Sequence, residues 1–215
     1  GISFLRMFDM AHDSGIFRNS YELESSGWML DGNYYRNEKG VALPLYEAKM
    51  VDFYNHRSSD IVKSAGAKKR QNQPRYVTSD ELNSPARVVH PMHWVASEAV
   101  ESRIPSVSEG SWFLGYCDVT SATNERTSIP SFLPFSAVGH TLPLIFSERG
   151  SMGLALLGAA LSSFPFDYLA RQKVSGLHLT FTVIKQLPVV PFEDLLIWKN
   201  WIVSRVIELS YTAQD

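Results

Sequence analysis

The run 177–184 alternates strictly between apolar and polar side chains up to Val183, and this period of two constrains the fold more than any other part of the sequence. The apolar members are Leu177, Leu179, Phe181 and Val183, and the polar members are His178, Thr180 and Thr182. Such alternation is typical of a β-strand with one buried face. Pro188 cannot continue a hydrogen-bonded ladder and ends the pattern. Arg171, Gln172 and Lys173 stand just before Gly176, so we predict a strand that starts at a basic corner.

The bulk composition is that of a globular protein, which we interpret as one domain over residues 1–215. Hydrophobic residues make up 45% of the chain and charged residues 20%. The net charge of −2 argues against a protein that coats nucleic acid along its whole surface, but it permits a local basic face. The single cysteine, Cys117, excludes an intramolecular disulfide and a cysteine-based zinc site, and it fits a reducing cytoplasm.

Targeting signals are not visible in the sequence. The longest apolar stretch, residues 152–161, is too short to span a bilayer, and the N-terminus lacks the pattern of a signal peptide. We therefore expect a cytoplasmic protein without membrane contact. Because the chain opens on Gly1 and not on Met, we interpret it as a fragment of a longer protein.

Local patterns predict an α+β fold, namely a mixed sheet with short helices, a basic loop insertion and a C-terminal amphipathic helix. Helices are expected at 152–162 and 193–210, strands at 112–119 and 144–146, and a hairpin with a polar tip at 37–40. The insertion is placed at about residues 63–76, where five cations occur without an acidic residue. These cations are Lys63, Lys68, Lys69, Arg70 and Arg75. The small and polar residues around them predict a flexible basic loop.

One group of residues resembles the metal site of a nuclease. Asp31 precedes Glu47-Ala48-Lys49, and in many metal-dependent nucleases two carboxylates hold Mg²⁺ beside a lysine that assists the attacking water. The alternative is that Asp31 belongs to a turn and that Glu47 and Lys49 form a structural ion pair. The six histidines show no metal-ligand spacing, and neither a serine-nucleophile elbow nor a phosphate-binding glycine loop occurs. No catalytic or metal-binding residue is therefore assigned.

Basic residues give a second hypothesis, a surface that binds nucleic acid. The cations at 63–75, Arg126, and the pair Arg171 and Lys173 would bind a phosphate backbone if they met on one face. The alternative is that each is a solvated surface charge.

Four segments in order then resemble a known family. They are LYEAKMVDFYNHR (45–57), GYCDVTSATNERTSIPSFLP (115–134), AVGHTLPLIF (137–146) and FDYLARQKVSGLHLTFTVIKQLPVVP (166–191). Together they resemble the C-terminal target-recognition (specificity) region of large adenine-N6 DNA methyltransferases of restriction-modification and phage-defence systems. The chain departs from that pattern at Ala48, where the family has glycine, and at His140, where it has asparagine.

The resemblance implies a module that recognises a specific sequence in double-stranded DNA and is not an enzyme by itself. The Asn-Pro-Pro-aromatic motif that grips the flipped adenine and the glycine-rich S-adenosylmethionine loop do not occur in this chain. S-adenosylmethionine and catalysis would belong to an upstream methyltransferase domain of the same polypeptide, and whether an endonuclease is also fused to it stays open.

The residues and the resemblance together select eleven candidate DNA-binding side chains. They are Lys49, His56, Arg57, Lys68, Lys69, Arg70, Arg126, Thr127, Arg171, Gln172 and Lys173. Some of these must be structural, and Glu47, Asp167 and Arg171 form an alternative buried ion network. A further hypothesis is a protein-interaction or scaffold domain, in which the terminal helix docks through Trp198 and Trp201.

Overall fold

The computed structural model describes residues 1–63, 72–108, 111–211 and 213, and it has the predicted α+β class. The strands are β1 (Ile2–Leu5), β2 (Met29–Asp31), β3 (Tyr34–Asn37), β4 (Gly40–Tyr46), β5 (Ser59–Lys63), β6 (Asn72–Tyr76), β7 (Trp94–Ala96), β8 (Trp112–Tyr116), β9 (Pro130–Pro134), β10 (Ala137–Val138) and β11 (Leu144–Ser147). The helices are α1 (Ser20–Ser25), α2 (Ser79–Leu82), α3 (Ser97–Glu101), α4 (Gly150–Ser162), α5 (Phe164–Lys173), α6 (Phe181–Ile184), α7 (Phe192–Ile197) and α8 (Lys199–Ser210).

A four-stranded antiparallel sheet in the order β1-β11-β8-β9 separates two apolar cores. Phe113 of β8 points into one core, while its neighbours Leu114 and Tyr116 point into the other. The second core is closed by α4 and α5, and the first by residues of β4, β10 and the chain before α1. Because both faces are covered, β8 is an almost continuous apolar run.

The other large sheet mixes strand directions, as predicted. Its order is β10-β4-β3-β2, and β7 also pairs with β4. β10 runs parallel to β4, whereas β2, β3 and β7 pair antiparallel. The predicted hairpin at 37–40 joins β3 to β4.

The predicted basic loop is partly a hairpin. Strands β5 and β6 pair antiparallel from Ser59–Tyr76 to Lys63–Asn72, so residues 72–76 are a strand and not a loop. This strand includes Arg75. Its side chain is satisfied locally by acidic partners, which the charge count alone does not reveal. Lys68, Lys69 and Arg70 lie outside the described residues.

The strand predicted at 177–184 is wrong. Residues 181–184 form the short helix α6, and Thr180 caps it by accepting the Val183 N–H (3.4 Å). The side chain of Leu177 is exposed although Leu179 is buried. The hydroxyl of Thr180 therefore favours the start of a helix at this position, and the alternating residues do not form a strand.

The helices predicted near the C-terminus are present with altered bounds. Helix α4 matches the expected one, and α5 continues to Lys173, so the basic corner is a helical turn. The terminal helix is divided into α7 and α8 at Trp198. None of the helices in the described ranges is long and apolar enough on its own to cross a membrane, although α4 and α5 together, bent by 67°, have the required length and composition.

Candidate nucleic-acid interface

The inner face of α5 holds the segment 121–128 in place. Asp167 Oδ1 accepts hydrogen bonds from the N–H groups of Thr127 and Ser128, both at 2.8 Å. Arg171, one turn further on, donates to the carbonyl oxygens of Ala122 and Glu125, both at 2.9 Å. Its Nη2 also lies 3.3 Å from Asp167 Oδ2. Two ionic side chains at i,i+4 spacing thus order a polar turn that has no secondary structure of its own.

These contacts assign structural roles to two expected DNA contacts. Thr127 is fully buried, and its hydroxyl donates to the Ser121 carbonyl at 3.1 Å. The guanidinium of Arg171 donates hydrogen bonds to backbone carbonyl oxygens and to Asp167. Of the alternative ion network, the Asp167–Arg171 pair is present, whereas Glu47 pairs with Lys49 at 3.0 Å.

Arg126 is held differently from Arg171. Its guanidinium lies between the rings of Phe53 and Phe164, 4.4 Å and 4.3 Å from their centroids. Within the described ranges it has neither a carboxylate partner nor a hydrogen-bond acceptor, and its Nη1 is buried. The residue as a whole is half-buried. A cation that is fixed in orientation and lacks a counter-ion is suited to bind an anion.

The ring of Phe53 comes from a tight turn with an unusual backbone. Asp52 and Asn55 exchange two backbone hydrogen bonds (2.8 Å and 2.9 Å), which leaves Phe53 and Tyr54 at the tip. Tyr54 has φ of 56°, a left-handed conformation that is rare for an aromatic residue. The Tyr54 ring stacks on Phe132 with an interplanar angle of 22°. The stack of Phe132, Tyr54, Phe53, Arg126 and Phe164, called here the aromatic stack, joins β9 to α5.

The outer face of α5 carries a stripe of exposed side chains at intervals of four, formed by Phe164, Tyr168 and Gln172. Phe164 is 78% exposed and Tyr168 is 63% exposed. Lys173 follows at the end of the helix and is also exposed. This outer stripe presents two aromatic rings, an amide and a cation to solvent, next to Arg126. Among the predicted DNA contacts that the structure describes, Gln172 and Lys173 are the two that are classed as exposed.

The candidates of the first family segment point mostly inwards. Arg57 is fully buried and donates to the carbonyls of Leu82 (3.3 Å), Ser84 (2.9 Å) and Arg87 (2.9 Å). It therefore fixes the loop after α2, and burial excludes a direct contact with DNA in this conformation. His56 is also buried, and it lines a cavity of about 1030 Å³ that is bounded by strands β8 and β9 and helices α4 and α8. Lys49 is half-exposed and donates to the Asn72 carbonyl at 3.2 Å.

Asp31 does not meet Glu47 and Lys49, the other two residues of the nuclease hypothesis, although those two pair with each other at 3.0 Å. Asp31 is exposed and pairs with Arg36 at 2.8 Å. The strand register places the β4 residue that is level with Asp31 two strands away from it. Glu47 follows that β4 residue by four positions. Four strand residues span about 13 Å and two strand spacings about 10 Å, so the two backbones are roughly 16 Å apart. No group of three or more potential metal ligands occurs in the described ranges.

Arg75 and Arg87, beside the β5–β6 hairpin, are compensated by acidic residues. Asp60 is buried and accepts from Arg87 at 2.6 Å and from Arg75 Nε at 3.1 Å. Burial raises the pKa of Asp60, but the hydrogen bonds from Arg87, the His90 N–H and Arg75 outweigh it and leave the pKa below its usual value. Hydrogen bonds from Arg75 lower the pKa of Glu81 to about 2. Arg126, by contrast, has no acidic partner among the described residues.

Sequence reasoning missed the aromatic side chains of the site. Phe53, Tyr54, Phe164 and Tyr168 were not among the candidates, because apolar rings are normally assigned to the core. The available signal was the spacing of Phe164, Tyr168 and Gln172 by four residues, with Tyr168 and Gln172 inside the fourth segment of the family resemblance.

Comparison with known proteins adds one partial match. A family model described as "LCI fold" matches residues 9–49, which comprise α1 and the strands β2 to β4. This is under a quarter of the chain. No curated protein matches the sequence significantly.

Proposed function

We propose that this chain is the duplex DNA target-recognition module of an adenine-N6 methyltransferase, and that it binds DNA through Arg126 and the outer stripe of α5. The observation that carries the proposal is the guanidinium of Arg126, which is oriented by two rings and has no counter-ion in the described part of the chain. A phosphate group supplies the anion that this geometry requires.

The chemistry of the outer stripe supports the same proposal. Lys173 provides an exposed cation in addition to the half-buried Arg126, and the amide of Gln172 has the donor and acceptor that pair with the edge of adenine. Arg126 and Lys173 would position the module on the backbone, and Gln172 would read base edges. Phe53, Arg126 and α5 also come from three segments that are far apart in the sequence, and each lies in or beside one of the segments that carry the family resemblance.

Methyl transfer is not assigned to residues of this chain. The motifs that grip the flipped adenine and the S-adenosylmethionine loop do not occur in the sequence. In this proposal an upstream domain supplies that cofactor site, and the present module delivers the target sequence to it.

The salt dependence of duplex binding tests the proposal. Fluorescence anisotropy with a labelled 20-base-pair duplex should give an affinity that falls steeply between 50 mM and 200 mM salt. Lys173→Gln should weaken binding and lower the log–log salt slope by about one, because one phosphate contact is lost. Lys39→Gln, at an exposed lysine on the β3–β4 turn, is the matched control and should leave both values unchanged.

Two results would contradict the proposal. One is the absence of duplex affinity at low salt in a folded protein. The other is an equal effect of Lys173→Gln and Lys39→Gln, which would mean that α5 is not the binding surface.

A second candidate function rests on the junction of α7 and α8. Ile197, Trp198 and Trp201 are all exposed there, and a cluster of large apolar side chains on a surface is typical of a protein contact. In this alternative the junction docks on the catalytic domain of the parent enzyme. Trp198→Lys with Trp201→Lys would then weaken association between the two domains in a pull-down assay and leave duplex affinity of the isolated chain unchanged.

A further inference from the structure

One face of the Phe164 ring packs on Arg126, and the other face is exposed to solvent. Its inner face covers the Arg126 guanidinium at 4.3 Å, yet the side chain remains 78% exposed. The ring is not needed to start the helix, because Ser163 caps α5 and Pro165 occupies its first turn. Phe164 is therefore the open end of the aromatic stack, and its orientation is set by the cation behind it.

Tyr168 extends this open surface by one helical turn. It is 63% exposed, and its hydroxyl has no hydrogen-bond partner in the described part of the chain. Two exposed rings at i,i+4 spacing lie side by side on a helix surface. Together they form an exposed aromatic area, with the Arg126 guanidinium packed behind the Phe164 ring.

A nucleobase with its phosphate matches this combination. Every base has an aromatic face that stacks on phenylalanine and tyrosine, and the adjacent phosphate is an anion for arginine. In a regular duplex, paired bases expose only their edges, so stacking requires a base that has left the helix. An apolar peptide would cover the two rings but would leave Arg126 without an anion, so charge complementarity favours nucleic acid.

We infer that Phe164 and Tyr168 form a stacking site for one unpaired nucleobase, with Arg126 on the neighbouring phosphate. The inference rests on the proposed function, and it adds the state of the bound DNA: a duplex with one base out of the stack. When the base is bound, the aromatic stack acts as a rigid platform. Phe53 packs behind Arg126, and Phe132 packs behind Tyr54.

The test compares a fully paired duplex with one that carries a single unpaired 2-aminopurine. We expect the unpaired base to increase affinity roughly ten-fold and its fluorescence to be quenched on binding, because stacking quenches 2-aminopurine. Phe164→Leu should abolish the preference and the quenching, because leucine has no aromatic face on which the base can stack. Phe164→Tyr keeps an aromatic face and should retain both signals.

Tyr21→Leu is the control, since Tyr21 is equally exposed (79%) but lies on α1; it should behave as the wild type. Circular dichroism checks that Phe164→Leu is folded, which its exposure leads us to expect. If Phe164→Leu still prefers the unpaired base, the preference comes from DNA flexibility and the inference is wrong. If the wild type binds both duplexes equally, the inference fails while the proposed function stands. If neither duplex binds, both fail.

Discussion

The backbone of Tyr54 is the least expected feature at the scale of single residues. A left-handed conformation costs an ordinary residue about 1–2 kcal/mol relative to glycine, and at φ of 56° Tyr54 carries this cost. The contacts of its ring with Phe53 and Phe132 offset it. Strain that is retained beside a candidate site is consistent with a functional role for the ring.

Substitution at Tyr54 separates the backbone strain from the ring contacts. Tyr54→Ala and Tyr54→Gly both remove the ring, but only glycine adopts this φ without cost. We expect the Gly variant to be more stable than the Ala variant by about 1 kcal/mol, as measured by urea unfolding. An Ala variant as stable as the Gly variant would mean that this position is not strained.

Arg57 shows how a cation can serve the fold. Its guanidinium is buried and donates to three backbone carbonyl oxygens, so Arg57→Met should destabilise the protein by about 3 kcal/mol in chemical unfolding. Arg36→Met is the control, because Arg36 forms an exposed pair with Asp31 that should contribute less than about 1 kcal/mol. Similar losses in the two variants would contradict the structural role of Arg57.

The sequence predicts which residues are charged but not which charges are buried. Arg57, Arg126 and Arg171 all belong to segments of the family resemblance, and each was expected to contact DNA. In the fold, Arg57 and Arg171 donate to backbone carbonyl oxygens, while the partners of Arg126 among the described residues are aromatic rings. This difference depends on the path of distant segments, so no local pattern contains it.

At the scale of elements, local patterns are reliable where one period dominates. Helix α4, strand β8 and the β3–β4 hairpin follow from their apolar spacing and turn residues. The segment 177–184 fails because it has a second signal: Thr180 can cap a helix, and the capped turn buries Leu179 and Ile184. The alternation of apolar residues was genuine, but tertiary packing selected the helix.

The segment between β1 and α1 provides an element-scale prediction on pH. Arg103 ties it to α3 by hydrogen bonds to Asp13 (2.7 Å and 2.9 Å) and to the Met7 carbonyl (2.6 Å). The hydrogen bond from Arg103 lowers the pKa of Asp13 to about 2. A depressed carboxyl pKa stabilises the fold above the unfolded value, and this stability is lost as the pH falls through the folded pKa.

Arg103→Met should therefore reduce stability at pH 7, and the difference from the wild type should shrink between about pH 4 and pH 2. Urea unfolding at pH 7, 4 and 2 measures this difference. A gap between the two proteins that stays constant over this range would show that Asp13 is not the partner through which Arg103 acts.

At the scale of the whole molecule, β8 belongs to both apolar cores. Phe113 and Leu114 are adjacent in the chain but lie in different cores, so loss of one core exposes the strand that supports the other. We predict a single cooperative unfolding transition, with tryptophan fluorescence and far-ultraviolet circular dichroism giving the same urea midpoint. Two separate midpoints would mean that the cores unfold independently.

The candidate site is a property of the whole molecule. The sequence and the family resemblance predicted the α+β class and placed Arg126, Gln172 and Lys173 among the contacts. They did not predict that Phe53, Arg126 and Phe164 meet, because these residues are separated by long stretches of chain and are joined only by the packing of α5 on segment 121–128. The family resemblance itself remains a prediction.

The duplex affinity of Arg126→Met tests the central claim most directly. Methionine fills the space between the two rings but carries no charge, so the variant should fold as the wild type does. The account predicts that its affinity for a 20-base-pair duplex falls roughly ten-fold at low salt and that the salt slope decreases by about one. Arg205→Met, at an exposed arginine on α8, should bind as the wild type. Unchanged binding by a folded Arg126→Met variant would contradict the account.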